Sequence, residues 1–213
     1  MERWATFDCY GTLIDWNGGI GRELERLFGA ARAGELLHSY YELEPQIQRE
    51  DPRRSYREVM AVALARLGAP ADEEDALGRS LPSWEPFAEV PAALEEARSG
   101  GWQLAVLSNT DRDLLDASLA RIGVDFDLSI VASEIGSYKP SRGHWDEFVS
   151  RTGASSAHHV HVGASLFHDI APAVALGYRT VWINRLGEEA EPQPDVELHS
   201  LDELLRHLDL LVS

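Results

Sequence analysis

Five short apolar runs, at residues 4–7, 104–107, 128–131, 160–162 and 180–183, constrain this chain more than any other feature. Each is short, β-leaning and too apolar for a strand with one wet face, so each reads as a parallel strand buried on both sides. Helical periodicity fills the later intervals, at 111–122 with leucines at 114, 115 and 119, then at 144–151, 169–176 and 201–211. Strand and helix in alternation imply an open α/β sheet. Gly123, Gly153 and Gly177 fall where helices should stop, and Ser200 with Glu203 has the spacing of a capping box opening the last helix.

The alternation is broken once. Between Asp8 and Leu104 the chain reads as helices, about four of them, entered through the flexible stretch Asp15-Trp16-Asn17-Gly18-Gly19 and left through a stiff return at 81–86 with Pro91 after it. The expected division is a core of 1–14 and 92–213 with an inserted helical cap of 15–91. A cap inserted there would lie over the carboxyl ends of the strands, where open α/β sheets bind ligands.

Composition narrows the partners. The 213 residues, 44% hydrophobic, suffice for one core with an elaboration. A formal net charge of −17 without a basic run disfavours nucleic acid and anionic membranes. A lone cysteine, no secretory leader pattern and no apolar run of about 18 residues give the expectation of a soluble, cytoplasmic protein.

Four polar groups fall just past strand ends: Asp8-Cys9-Tyr10-Gly11-Thr12, Ser108-Asn109-Thr110, Lys139-Pro140, and Gly163-Ala164-Ser165 with Asp169 beyond. A carboxylate nucleophile divides one hard displacement into two easier steps. Ser108 and Asn109 precede a helix whose free amides can hold a carboxylate or a phosphate alike. In this order the four groups resemble the motifs of the haloacid dehalogenase-like hydrolase superfamily over nearly the whole chain. The resemblance implies an open parallel Rossmann-like sheet flanked by helices, with the insertion as the family's helical cap. It implies Asp8 as nucleophile, Lys139 as the balancing cation and Asp169 as the acidic residue of the fourth motif.

Tyr10 and Ala164 discriminate within the superfamily. Its phosphatases usually carry a second Asp two residues after the nucleophile, because a leaving alkoxide needs a general acid. They also carry Gly-Asp-Ser in the fourth motif, whose carboxylate helps hold Mg2+. Here both positions are uncharged, halide leaves without a proton, and no metal or other cofactor is expected. Asp-x-Tyr-Gly-Thr, Ser-Asn and Tyr-Lys-Pro resemble the 2-haloacid dehalogenase branch, which turns a short, anionic 2-haloalkanoate into the 2-hydroxy acid through an aspartyl ester. That likeness implies Asp169 as the base oriented by Lys139, with Thr12, Ser108 and Asn109 positioning nucleophile and substrate. Relatives of this kind often dimerise, so a homodimer is compatible with it.

The chain departs from that pattern in the cap. The family's cap arginine aligns near residues 37–41, where none occurs; His38 is the nearest substitute, and Arg32, Arg49, Arg53, Arg54 and Arg57 flank the region. Trp145 stands where the family has a tyrosine after its lysine, and with Trp16, Tyr40 and Tyr41 is expected to wall a small pocket. Tyr10, His38 and Trp145 therefore join Thr12, Ser108 and Asn109 as expected substrate-side residues. His158, His159 and His161 lack partners for a metal site, Cys9 is expected to pack, and the acidic stretch at 188–197 reads as a solvated loop. The competing readings are a Mg2+-dependent phosphatase, opposed by Tyr10 and Ala164, and a non-catalytic binding protein, opposed by the joint presence of Asp8, Lys139 and Asp169.

Overall fold

The computed structural model describes residues 2–212. Six parallel strands form one sheet: β1 (Arg3–Phe7), β2 (Trp102–Ser108), β3 (Leu128–Val131), β4 (His159–Gly163), β5 (Arg179–Ile183) and β6 (Val196–Leu198), in the order β3-β2-β1-β4-β5-β6. The five apolar runs are the first five strands. β6 was not expected: it is a three-residue edge strand carrying Glu197, without the apolar run that marks a buried strand, and it ends the stretch read as a solvated loop.

Strand alternation sends Ala5, Phe7, Leu104 and Val106 to one face and Trp4, Ala105 and Leu107 to the other. Between β1 and β2 run α1 (Trp16–Phe28), α2 (Ala30–Glu50), α3 (Tyr56–Leu67) and the short α4 (Ala76–Ser80), then α5 (Val90–Ser99), with Pro91 in its first turn where no N–H is required. Ile20, Leu24, Tyr40, Val59 and Leu64 of these helices share one core with Phe7 and Val106 of the sheet. Asp111, at the head of α6 (Arg112–Ile122), locks them in place: its two carboxylate oxygens accept from the backbone N–H groups of Tyr56 and Arg57 at the start of α3, both at 3.0 Å.

On the other face, α7 (Ala132–Ile135) and α8 (Gly143–Thr152) follow β3, and a π-type turn at Leu166–Ile170 leads into α9 (Ala171–Ala175) after β4. Asp169 therefore sits in that turn, whereas the sequence placed it at the head of a helix. The last helix, α10 (Leu204–Leu211), starts later than expected and the capping box does not form: Glu203 is the residue before the helix, and Ser200 Oγ donates to Asp202 at 2.6 Å. Among the described residues no helix is long and apolar enough to cross a membrane.

β1 lies centrally, with β2 and β3 on one side and β4 to β6 on the other. The sheet order reverses between β1 and β4, and the crevice at the carboxyl ends there is the natural ligand position of such sheets. Asp8 leaves β1 and residues 163–165 leave β4 at that crevice.

Candidate active site

Asp8 is held at the end of β1, its N–H bonded to Val162 O at 2.9 Å. Gly11, at φ +92°, turns the chain so that Thr12 folds back onto it. Thr12 Oγ1 donates to Asp8 Oδ2 at 2.9 Å and accepts from the N–H of Ala164 at 2.9 Å, which joins the first and fourth loops through one hydroxyl. Lys139 Nζ donates to Asp8 Oδ1 at 2.8 Å and to Asp169 Oδ1 at 2.6 Å, with 1% of its side chain exposed.

Lys139 reaches this point because its backbone is clamped. Asn109 Nδ2 donates to Lys139 O at 3.0 Å, and Lys139 N–H donates to Asn109 Oδ1 at 2.6 Å. Both ends of the Asn109 amide are thus spent on the lysine backbone, so its side chain acts as a brace. Asp169 approaches β4 through Gly163, where a Cβ would lie 2.5 Å from Asp169 Cβ. Asp169 Oδ2 then accepts from Ser165 N–H at 3.3 Å.

Behind Asp169 lies a chain of buried groups with one consistent proton arrangement. His161 Nε2 stands 3.4 Å from Asp169 Oδ1, His161 Nδ1 is 2.8 Å from Thr6 Oγ1, and Thr6 Oγ1 is 2.7 Å from His159 Nε2. Burial holds both rings neutral, the pKa of His159 falling to about 3 and that of His161 also falling, so each ring has one N–H. A carboxylate can only accept, which puts the proton of His161 on Nε2. Nδ1 must then accept from the Thr6 hydroxyl, and Thr6 accepts from His159 Nε2–H. The partnerless atom left over is His159 Nδ1, a bare lone pair.

Electrostatics separate the two carboxylates. Burial raises the Asp8 pKa to about 6, with repulsion from Asp169 adding to it and Lys139 and Thr12 opposing. Burial would raise Asp169 too, but Lys139 and His161 outweigh it and hold that carboxyl well below the usual range. Lys139, penalised by burial, is nonetheless held charged by the two carboxylates, and its pKa rises. Asp169 is therefore ionised in the resting site and able to accept a proton, and Asp8 ionises above about pH 6.

These groups open into a cavity of about 840 Å3 bounded by Asp8, Tyr10, Ser108, Asn109, Lys139 and Asp169. Ser108 Oγ is buried with no hydrogen-bond partner and is free to donate to a ligand. Its carbonyl accepts from His144 Nε2 at 3.0 Å, the His144 ring being held neutral chiefly by burial. Tyr10 is tied away from the nucleophile: its hydroxyl pairs with Ser118 Oγ at 3.0 Å, and its ring stacks on Tyr56 and meets Trp84 edge-on. Cys9 is fully buried in the core. Among the described residues no group of three or more His, Cys, Asp or Glu is arranged to hold a metal.

Two expected substrate-side residues, Trp145 and Thr12, lie outside the cavity wall. Trp145 is fully buried in the second core cluster, its ring 5.3 Å from that of His161, and is outside the cavity wall. It belongs to the inward face of α8, so it supports the histidine chain from behind. Thr12, also fully buried, touches Asp8 and not the cavity. His38 reaches the rim, but 78% of its side chain is exposed and its nearest charged partner is Glu42 at 3.8 Å. Of the expected aromatic wall, Trp16 and Tyr41 line the cavity while Tyr40 packs behind.

The cap arginines do not reach the cavity: Arg57, for example, is engaged with Gly78 O and Asp113. The guanidinium that lines it is Arg185, just past β5, bonded to Thr12 O at 2.9 Å and Glu89 at 2.7 Å and lying 3.5 Å from the Phe87 ring centre. Its place two residues beyond the end of β5 at Ile183 is a usable sequence signal that went unused. Glu44 of α2, also in the wall, was missed as well.

A parallel sheet with a strand-end carboxylate, a bridging lysine and a second carboxylate at its switch point defines a Rossmann-like α/β scaffold built around a carboxylate nucleophile. A family model described as haloacid dehalogenase-like hydrolase matches residues 3–177, and the chain belongs to that family. An (S)-2-haloacid dehalogenase from Pseudomonas sp. (strain YL) is 29% identical over 208 residues, covering 92% of this chain and 89% of that one. The crystal structure of an L-2-haloacid dehalogenase superposes with a TM-score of 0.87 at 23% identity, over 98% of this chain and 99% of that one. The L-2-haloacid dehalogenase from Xanthobacter autotrophicus with chloropropionic acid covalently bound gives 0.83 at 19% identity, over 98% and 99%.

Proposed function

We propose that this protein is a hydrolytic dehalogenase of short 2-haloalkanoic acids, with 15–91 acting as a cap over a catalytic core of 1–14 and 92–213. The observation that carries the reading is the bridging of Asp8 and Asp169 by Lys139 beside an uncharged Tyr10 and Ala164: the positive charge between the two carboxylates is the protein's own ammonium. The dehalogenases among its relatives support the substrate class.

In the first step an Asp8 oxygen attacks the halogen-bearing carbon from the side opposite the halogen. A C–O bond forms, halide leaves with the C–X electron pair, and the configuration inverts. Ser108 Oγ and the amides that open α6 receive the substrate carboxylate. In the second step water, oriented by Asp169, adds to the ester carbonyl of Asp8 and passes its proton to Asp169. Collapse of the adduct, with its hydroxyl proton moving to the departing alkoxide oxygen, returns the Asp8 carboxylate and releases the 2-hydroxy acid, and Asp169 gives up its proton to solvent.

Halide release from chloroacetate and 2-chloropropionate in the presence of EDTA tests this. Turnover insensitive to the chelator is the expected result; silence with both acids, together with Mg2+-dependent phosphate release from an aryl phosphate, would replace the reading with a phosphatase. Only ionised Asp8 is a nucleophile, so kcat/KM is expected to fall tenfold per pH unit below about 6, read from the acid limb of the pH–rate profile.

The histidine chain bears on the second step alone. His161→Phe removes the N–H facing Asp169, a bond to a charged group worth about 1.5–3 kcal/mol, so kcat and KM should fall together, kcat by about ten- to a hundredfold, with kcat/KM unchanged. Because ester formation is spared, intact-mass analysis during turnover should show the Asp8 ester accumulating. Loss of both steps alike would place His161 in the scaffold only.

A further inference from the structure

The cavity is electrically unsuited to its proposed substrate. Among the described residues its wall contains the carboxylates of Asp8, Asp15, Glu44, Asp169 and Glu188. Its Lys and Arg cations are Lys139 and Arg185, both already bonded to carboxylates. An incoming haloacid adds a further negative charge, and no guanidinium from the cap meets it.

Glu44 is the wall carboxylate whose surroundings can resolve this. It projects from α2, half-buried, with its accessible part at the cavity. No cation forms an ion pair with it among the described residues. It is surrounded by tyrosines: burial raises the hydroxyl pKa of Tyr40, Tyr41, Tyr56 and Tyr138, and the negative field of Glu44 contributes at all four. Trp16 Nε1 donates to the Tyr56 hydroxyl at 3.0 Å, which leaves the Tyr56 proton for Glu44, and Gln48 Nε2 lies 3.4 Å from Glu44 Oε1.

We propose that Glu44 is the cap-side recognition residue of this cavity, receiving an anionic substrate as the carboxylic acid, so that wherever free Glu44 is ionised each substrate carboxylate enters together with one proton from solvent. The assignment rests on the haloacid reading above and specifies how that site accepts an anion. As an acid Glu44 carries no charge and offers one O–H, the donor the missing arginine would otherwise supply.

The pH dependence can be attributed to one group. Burial raises the Glu44 pKa to about 7, the Tyr56 hydrogen bond opposing and Asp8 adding. Above pH 7 Asp8 is already ionised, Asp169 is ionised and Lys139 charged. His168, whose pKa burial lowers to about 4, is neutral there, and Tyr41, raised by burial to about 12, keeps its proton, as do Tyr10 and Tyr56. Asp15 and Glu188 lie toward Tyr41 and His38 points to solvent on the same helix.

The test is calorimetric titration with lactate, a non-reacting 2-hydroxy acid, on the wild-type protein and Glu44→Gln at pH 6.5, 7, 8 and 9. Wild-type Kd should rise about tenfold per pH unit above 7. Glu44→Gln should bind with a flat Kd, about thirty- to a hundredfold tighter than wild type at pH 9. A flat wild-type Kd, the same slope in both proteins, or no binding at pH 6.5 would overturn the proposal. If the variant does not fold, the wild-type binding enthalpy in two buffers of different ionisation heat decides: one proton taken up at pH 8 supports it and none overturns it. Halide release from 2-chloropropionate by the same preparation separates the two readings. Halide release with a flat Kd removes the role of Glu44 alone, pH-dependent binding without halide release overturns the haloacid reading alone, and the absence of both overturns both.

Discussion

Asp8→Asn is expected to abolish halide release and, at the same time, to raise the melting temperature above pH 7. The two effects share a cause. Burial and the nearby Asp169 carboxylate make the ionised Asp8 costly in the folded state, which its pKa of about 6 against an ordinary 3.8 records. The sign follows from linkage: a raised carboxyl pKa means no penalty below about pH 4, a growing one between about 4 and 6, and the full penalty above. An amide at position 8 is never charged and can still accept from Lys139. Each pKa unit corresponds to about 1.4 kcal/mol, and about 1 kcal/mol moves the midpoint of a chain this size by about 2–4 °C, so the variant should melt several degrees higher at pH 8. Near pH 4 the two proteins should converge. Calorimetric scans at both pH values check this, and equal midpoints at pH 8 would mean that the site does not strain its nucleophile.

Lys139→Met should have the opposite effect on stability and be equally damaging to activity. The ammonium is the bridge between two buried carboxylates at 2.8 and 2.6 Å, and a thioether of similar length leaves them facing each other with no cation between. Removing one partner of a buried ion pair costs about 3–5 kcal/mol, and kcat should fall by at least about a hundredfold, since a charge-stabilising donor is lost as well. The loss of stability should be largest above pH 6, where both carboxylates ionise, and should shrink on acidification. Combining it with Asp8→Asn removes the repulsion, so the double variant should be more stable than Lys139→Met alone. Urea midpoints of the four proteins at pH 8 form the cycle that measures this coupling.

What the sequence made legible is what strand chemistry dictates. Five short, mainly apolar runs mark strands buried on both faces, and a polar residue just past such a run must emerge at the sheet's carboxyl edge; this is how Asp8, Ser108 and the Gly163 loop could be recognised one by one. Lys139 was legible from its motif, but the reason it reaches Asp8 is the Asn109 clamp across β2 and β3, a pairing of loops 30 residues apart. The cap was hardest to read. Helical periodicity gives the number of helices and leaves open which stripe meets the sheet, so Glu44 went unnoticed in the wall and His38 was given more than its rim position allows. Trp145 misled for a related reason: a residue near the catalytic lysine in sequence lies on the inner stripe of α8 and faces the core. β6 was missed because an edge strand of three residues needs no apolar run.

The unequal anchoring of Tyr10 and Ala164 bears on how such a scaffold changes chemistry through descent. Ala164 makes its hydrogen bonds through backbone atoms, its N–H on Thr12 and its carbonyl on Trp182 Nε1 at 2.9 Å, and its small, partly buried side chain carries none of them, so the residue there can change without breaking these bonds. Tyr10 is fastened to Ser118 of α6, Tyr56 of α3 and Trp84 in the return to the sheet, and shortening it would open a hole at the joint between cap and sheet. A lineage passing between halide and phosphate displacement on this frame would find the fourth loop permissive and the first loop resistant, and the order of its substitutions should bear that imprint.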